Sequence, residues 1–490
     1  MTRAVLVGAA LLGTMSAACG TSSDGATELP RDGGSHDGRA VDAATDGLDG
    51  TTDATGDDGR GRIDAPSSDA ALDARALKNF GETSTTYPAF MPDVPQIEDQ
   101  GGSVLHTPHI VTVTWPGDPN ASAFETFGDD LGASAYWQAV TSEYGVGPAW
   151  SNPESHVRLT EEPVASWTDT ALATWLADHL ASYATYGLPA PDTETLYVLY
   201  LASGTDINVI GSYACFGGIR GYHDSLPGSG YPYAVVVQCT GDTAGDATQY
   251  ASHEIVEAST DPNPNGVPAY TGIDGEHVAW AVFQDFADEV ADMCENYFSS
   301  VVEVPLPNVR EPDAGADGGD GGSSDTGLPA ADAGSPLFQV QRSWSNASAA
   351  AGHDPCVPVG GGPYASVTPL NQQLISLDLS WFGGSSNVQT LGYRVLVGQT
   401  MSIPLGFHTD VPTATPWTIT PVEGNPLPGG STSSHLTMSV DEPTGENGHI
   451  AYLTVTVNSV DTSMQGELVT IVMELPGWPR TFLPLLISNE

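Results

Sequence analysis

The chain has 490 residues and sets 13 basic against 61 acidic side chains, a formal charge of −48. Such a balance excludes nucleic acid and anionic lipid as partners held by general electrostatics. The length allows two or three domains with developed cores, and two low-complexity tracts take up much of the acid, so the folded parts are milder than the total.

Residues 1–19 read as a signal peptide: Arg3, an apolar run over residues 4–12, then small residues up to Cys19. Ser16-Ala17-Ala18-Cys19-Gly20 resembles a bacterial lipobox, in which the cysteine is lipidated after cleavage; Ser16 stands where leucine is usual. The expectation is an extracytoplasmic protein of the bacterial cell envelope. It would be an outer-membrane lipoprotein facing outward or into the periplasm, and a secreted protein if Cys19 stays unmodified. Residues 20–79 are Asp, Gly, Ala, Thr and Ser with almost nothing to bury, a disordered acidic tether. As a flexible coil it would reach roughly 40 Å.

Residues 80–358 mix helical and strand patterns, which predicts an α+β domain. His109 to Trp115 alternates as a strand does, and Tyr136, Trp137, Val140 and Tyr144 recur at helical spacing, as do Leu172, Leu176 and Leu180. LYVLYL at residues 196–201 and YAVVVQC at residues 233–239 suit a sheet covered on both faces. The four cysteines after Cys19 predict two disulfides; chain order favours Cys215–Cys239 and Cys294–Cys356 among the three possible pairings.

The chemistry concentrates in Ser252-His253-Glu254-Ile255-Val256-Glu257-Ala258-Ser259-Thr260-Asp261-Pro262. On a helix, His253 and Glu257 are four residues apart and share a face, so two ligands can meet one ion. Glu254 sits beside them, where a base for metal-activated water belongs. Ala251, Ile255 and Ala258 form an apolar back that would pack on the sheet. The pattern is HExxE, with Glu257 where the zinc-peptidase pattern HExxH has histidine, and the extra negative charge would make bound water a weaker acid.

A catalytic site needs a third ligand and an open position. Asp288-Glu289-Val290-Ala291-Asp292-Met293-Cys294-Glu295 offers Glu289 as ligand and Asp292 as a brace for His253, with Asp261 at the helix end as the rival ligand. Zn²⁺ is the expected ion because His253 anchors the set; oxygen-rich ligation also suits a harder divalent cation. Arg220, Tyr222, His223 and His277 are candidate oxyanion donors by nearness in sequence alone.

A second acidic tract at residues 311–335 interrupts this domain. Residues 364–490 lack helical stretches; Ile375, Leu377, Leu379 and Trp381, then Leu453, Val455 and Val457, then Val469, Ile471, Met473 and Leu475 alternate with polar residues, which predicts an all-β, immunoglobulin-like sandwich.

The HExxE segment ending in Thr260-Asp261-Pro262, together with Glu289-Val290-Ala291-Asp292-Met293-Cys294, resembles the exordium (phosphate-induced protein) family of plants and its secreted bacterial relatives. The likeness covers at most residues 80–358. It implies a zincin-like metallopeptidase domain whose active-site helix packs on a mixed sheet, with His253, Glu257 and Glu289 as metal ligands. The reading is a tethered zinc-dependent hydrolase acting on a peptide or protein substrate, anchored to the bacterial membrane through lipidated Cys19. The alternative is a non-catalytic cell-surface or wall-associated binding protein with a structural metal or none.

Overall fold

Neighbouring residues of a strand face opposite sides of its sheet, and the two apolar runs of this chain supply both sides. The computed structural model describes residues 81, 83–90, 94–209, 211–277, 280, 288–295, 300–306, 336–358, 364–377, 388–412, 417–423, 435–459, 467–474 and 481–488. The signal segment with Cys19, the tether and the acidic insertion at 311–335 lie outside the described residues. Five strands form a mixed sheet: β1 (His109–Thr114), β2 (His156–Arg158), β3 (Thr195–Tyr200), β4 (Gly221–Ser225) and β5 (Pro232–Val236), in the order β2-β1-β3-β5-β4. The first four in that order run parallel, and β4 closes the edge antiparallel to β5.

Both β3 and β5 are buried along their whole length. Leu196, Val198, Tyr200, Ala234 and Val236 enter one core with α1 (Ala121–Leu131) and α2 (Ala135–Thr141). Tyr197, Leu199, Tyr233 and Val235 enter the other with Leu172, Leu176 and Leu180 of α3 (Asp169–Leu180). Helices thus cover both faces of the sheet.

The HExxE motif lies on α4 (Ala244–Thr260). A reciprocal capping box starts this helix: Thr243 Oγ1 accepts the Asp246 N–H at 3.1 Å, and Asp246 Oδ2 accepts the Thr243 N–H at 2.7 Å. It ends at Asp261, whose backbone has left the helical region (φ −142°, ψ 74°) as the following Pro262 requires. Ala247, Ala251, Ile255 and Ala258 recur every three or four residues, are fully buried, and join the core on β3 and β5.

On its other side α4 meets an antiparallel pair, β6 (Val301–Pro305) and β7 (Leu337–Gln341). Ser252 Oγ accepts the Gln341 N–H at 2.8 Å, and Thr248 Oγ1 donates to the Gln339 carbonyl at 3.0 Å. The insertion therefore joins two adjacent strands. Disulfides link Cys215 to Cys239 and Cys294 to Cys356, the pairing that chain order favours.

The C-terminal region is β-rich. One sheet has the order Ala365–Pro369, Thr400–Thr409, Ile450–Val457, Leu436–Val440; the other runs Gln373–Leu377, Val388–Leu396, Thr481–Ser488, Glu467–Glu474, Thr420–Glu423. Val367, Ile403, Leu405, Phe407, Leu453 and Val455 of the first share a core with Tyr393, Val395 and Leu485 of the second. His408 ties this region to the rest: its Nδ1 accepts the Phe90 N–H at 3.1 Å, and its Nε2 donates to the Gly352 carbonyl at 3.0 Å.

Candidate metal centre

At about 100° per residue, His253, Glu257 and Glu254 fall within about 100° of the α4 circumference, beside the stripe that packs on the sheet. His253 Nε2 is 3.1 Å from Glu257 Oε2 and 3.4 Å from Asp292 Oδ1. The other carboxylate oxygen of Glu257 accepts the N–H groups of Ala291 at 3.2 Å and Asp292 at 3.0 Å. One side chain thereby fastens the 289–292 turn and still presents an oxygen to His253.

Four more contacts hold that turn. Thr271 bridges to Glu289 as an antiparallel pair, Gln341 Nε2 donates to the Ala291 carbonyl at 2.9 Å, the Trp344 N–H donates to the Val290 carbonyl at 2.7 Å, and Cys294 is tied to Cys356. Segments on both sides of the acidic insertion thus brace the site.

Glu254 leans toward the edge strand. A β-carbon at Gly221 would come within 2.4 Å of its Oε1, so the missing side chain at 221 makes the room that the carboxylate fills. Two residues along the same face of β4 stands His223, with Nδ1 3.7 Å from Glu254 Oε2 and 3.6 Å from Glu257 Oε2, and Nε2 3.7 Å from Glu289 Oε1. All three separations are too long for hydrogen bonds. Its side chain is only 4% exposed, while its backbone lies on the sheet edge. Among the described residues, His223 Nε2 and Glu289 Oε1 are buried without a hydrogen-bond partner.

The donor atoms collect into two groups, each within 4.8 Å: His253, Glu257 and Asp292, and His223, Glu254 and Glu257. Ligands at about 2.0–2.2 Å from one ion lie about 3.2–3.6 Å apart, close to the separations here. Burial, then the charge of Asp292, pushes Glu257 up to about 7, against the pull of His253. Burial likewise lifts Asp288 to about 7, again with Asp292 adding, and holds Glu289 well above the usual carboxylate range despite His223. Burial pulls both histidines down, but the carboxylates outweigh it: Glu289, Glu254 and Glu257 raise His223, and Glu257, Asp292 and Glu254 raise His253. More negative charge is buried here than two imidazoles balance, and a cation relieves that excess. The residues fit a divalent metal.

Of the residues proposed from sequence, His253, Glu254, Glu257, Glu289 and Asp292 are brought together, with Asp292 beside His253 and Glu289 beside His223. Asp261 lies outside both donor groups; it accepts the Ala269 N–H at 2.9 Å, and its Oδ2 is buried without a hydrogen-bond partner among the described residues. Of the oxyanion candidates, only His223 enters the centre. Arg220 is 3.9 Å from Asp242, Tyr222 packs edge-on against Tyr233 on the opposite face of the sheet, and His277 bonds Asp274 at 2.7 Å. Gly221-x-His223 on a strand shortly before the motif helix was the available signal: alternation puts the gap and the imidazole on one face.

No family model matches the chain, and no curated protein does. Among solved structures it has slight likenesses to a Bacteroides ovatus GH5 xyloglucanase in complex with a XXXG heptasaccharide (16% identity, 20% of this chain and 17% of that one, TM-score 0.14). Others are the S-layer protein rSbsC (11%, 28% and 18%, TM-score 0.15) and domains 4 and 5 of the S-layer protein SbsC (10%, 34% and 86%, TM-score 0.15). At such scores the likenesses carry no argument about fold or function, and the chain spans under a fifth of the first two.

Proposed function

We propose that the chain is a metal-dependent, zincin-like hydrolase of extended peptides, followed by an immunoglobulin-like module and carried at the bacterial envelope by its tether and the lipidated Cys19. The observation that carries this reading is the donor group of His253, Glu257 and Asp292, with Glu254 set beside it on the same helix. The mixed sheet supports it: its antiparallel edge strand β4 runs past the site, and among the described residues no strand pairs with its outer edge, where an extended chain could add.

His253, Glu257 and Asp292 would hold the cation, Zn²⁺ before harder ions. When bound, it supplies Lewis-acid polarisation of a carbonyl and acidifies water. Glu254, held in the gap over Gly221, takes the proton of the attacking water and returns it to the leaving amine. Glu257 Oε1, fixed by two backbone N–H groups, keeps its partner oxygen aimed at His253. The backbone of β4 positions the substrate, so selection falls on extended chains before side-chain identity.

The burial of Glu257 and Asp292, with side chains 3% and 6% exposed, supports a second reading, a structural ion in a binding protein. Metal analysis of the purified full chain and cleavage of a peptide library by wild type and Glu254→Gln separate the two. Stoichiometric metal in both, with hydrolysis lower by about 10²–10⁴-fold in the variant, is the expected result. Metal without cleavage by either protein leaves the structural reading, and no metal in either removes both.

A further inference from the structure

Resting on that reading of the centre, we infer that His223, Glu254 and Glu257 form a second divalent-cation site that shares Glu257 with the first. Two histidines and four carboxylates, His223, His253, Glu254, Glu257, Glu289 and Asp292, meet in one buried space. Five of them, all but Glu289, make up the two donor groups, which share Glu257 and are reached from a strand, a helix and a turn.

Charge counts for it. Four carboxylates can carry more charge than one divalent ion cancels, and in a site nearly closed to water a second ion can take the place of the protons that otherwise offset the rest. Geometry counts as well. His223 is held about equally far from three carboxylates at 3.6–3.7 Å, bonding none of them, with Nδ1 toward Glu254 and Glu257 and Nε2 toward Glu289. Such separations suit groups arranged around an ion. On the far side of the ring, Glu289 is placed to take the Nε2 proton once the ring draws in, the carboxylate–histidine–metal relay that fixes a ligand's tautomer. This gives the two unpartnered buried atoms, His223 Nε2 and Glu289 Oε1, a common purpose.

The consequence is regulatory. An ion at His223 engages the carboxylate of Glu254, and a coordinated Glu254 no longer accepts a proton. The first equivalent of metal would therefore activate the site and the second would silence it, which suits an envelope protein that meets variable external metal.

The test is titration of the full chain, stripped with chelator, with Co²⁺ followed by its absorption and with Mn²⁺ followed by electron paramagnetic resonance. Wild type should take two tight equivalents and His223→Ala one, the difference cancelling weak uptake by the acidic tracts. The Mn²⁺ spectrum of wild type should change from isolated-ion lines to a spin-coupled pair between the first and second equivalents. Peptide cleavage should rise with the first and fall about a hundredfold or more with the second, the loss expected when a general base is removed. One tight equivalent in both proteins overturns the second site and leaves the first. No tight binding in either overturns both. Should His223→Ala fail to fold, the wild-type spectrum decides alone: isolated-ion lines at two equivalents refute the shared carboxylate.

Discussion

Two buried histidines, His408 at the junction with the C-terminal region and His223 at the α4 centre, show opposite ways of keeping an imidazole out of water. At His408 each ring nitrogen has one backbone partner, and burial above all pushes the group down to about 4, so it stays neutral. At His223 one nitrogen has no hydrogen-bond partner among the described residues, carboxylates surround the ring, and the group is pushed up. A histidine with a structural task is finished by the chain itself. One with an unpartnered nitrogen among buried carboxylates has room for a partner of another kind.

The comparison can be broken or sharpened by experiment. Metal should stabilise the protein strongly: at a free concentration near a thousand times the dissociation constant, binding adds about 4 kcal/mol, read as a rise in Tm that chelator reverses. His253→Ala should lose most of this increment, while His408→Ala should keep it despite a lower starting Tm. Equal metal dependence in both variants would place the ion elsewhere.

Acid should act first through the junction. The unfolded chain's histidine takes its proton near 6.5 and the folded one near 4, so the unfolded state binds more protons between those values. The His408 contribution is thus complete above pH 6.5 and is lost as the pH falls toward 4, about 3 kcal/mol in all. Urea unfolding at pH 7, 5.5 and 4.5 measures it. His408→Gln should flatten the slope, and an unchanged slope in that variant would refute the assignment.

A smaller effect is expected at the edge strand. Gly221→Ala puts a methyl where the Glu254 carboxylate lies and should cost about 1–3 kcal/mol from overpacking. It should also lower peptide cleavage without reducing binding of the first ion, because Glu254 and not His253 is displaced. Wild-type kinetics in this variant would show that the carboxylate has another place to go.

What could be read in advance was local. The α4 helix, the two buried strands and the pairing of cysteines follow from periodicity and chain order, and His253, Glu254 and Glu257 come together because a helix turn brings them together. The role of His223 was only half legible: Gly221-x-His223 puts a gap and an imidazole on one strand face, but that this face meets α4 depends on β4 turning antiparallel at the sheet edge and on its register, both decided by long-range packing. Glu289 and Asp292 were visible as a pair, but which of them faces which histidine is decided by the two N–H groups that Glu257 accepts. That anchor joins residues 34 and 35 positions apart, beyond any local pattern.

The placement of the acidic insertion has a practical result. Its two ends are stitched together by β6 and β7, and Cys294 and Cys356 lie on either side of it. A protease that cut within residues 311–335 would leave two polypeptides still joined by a covalent bridge and a strand pair, one particle on a sizing column and two bands only after reduction. The chain can therefore be opened within this domain without being taken apart.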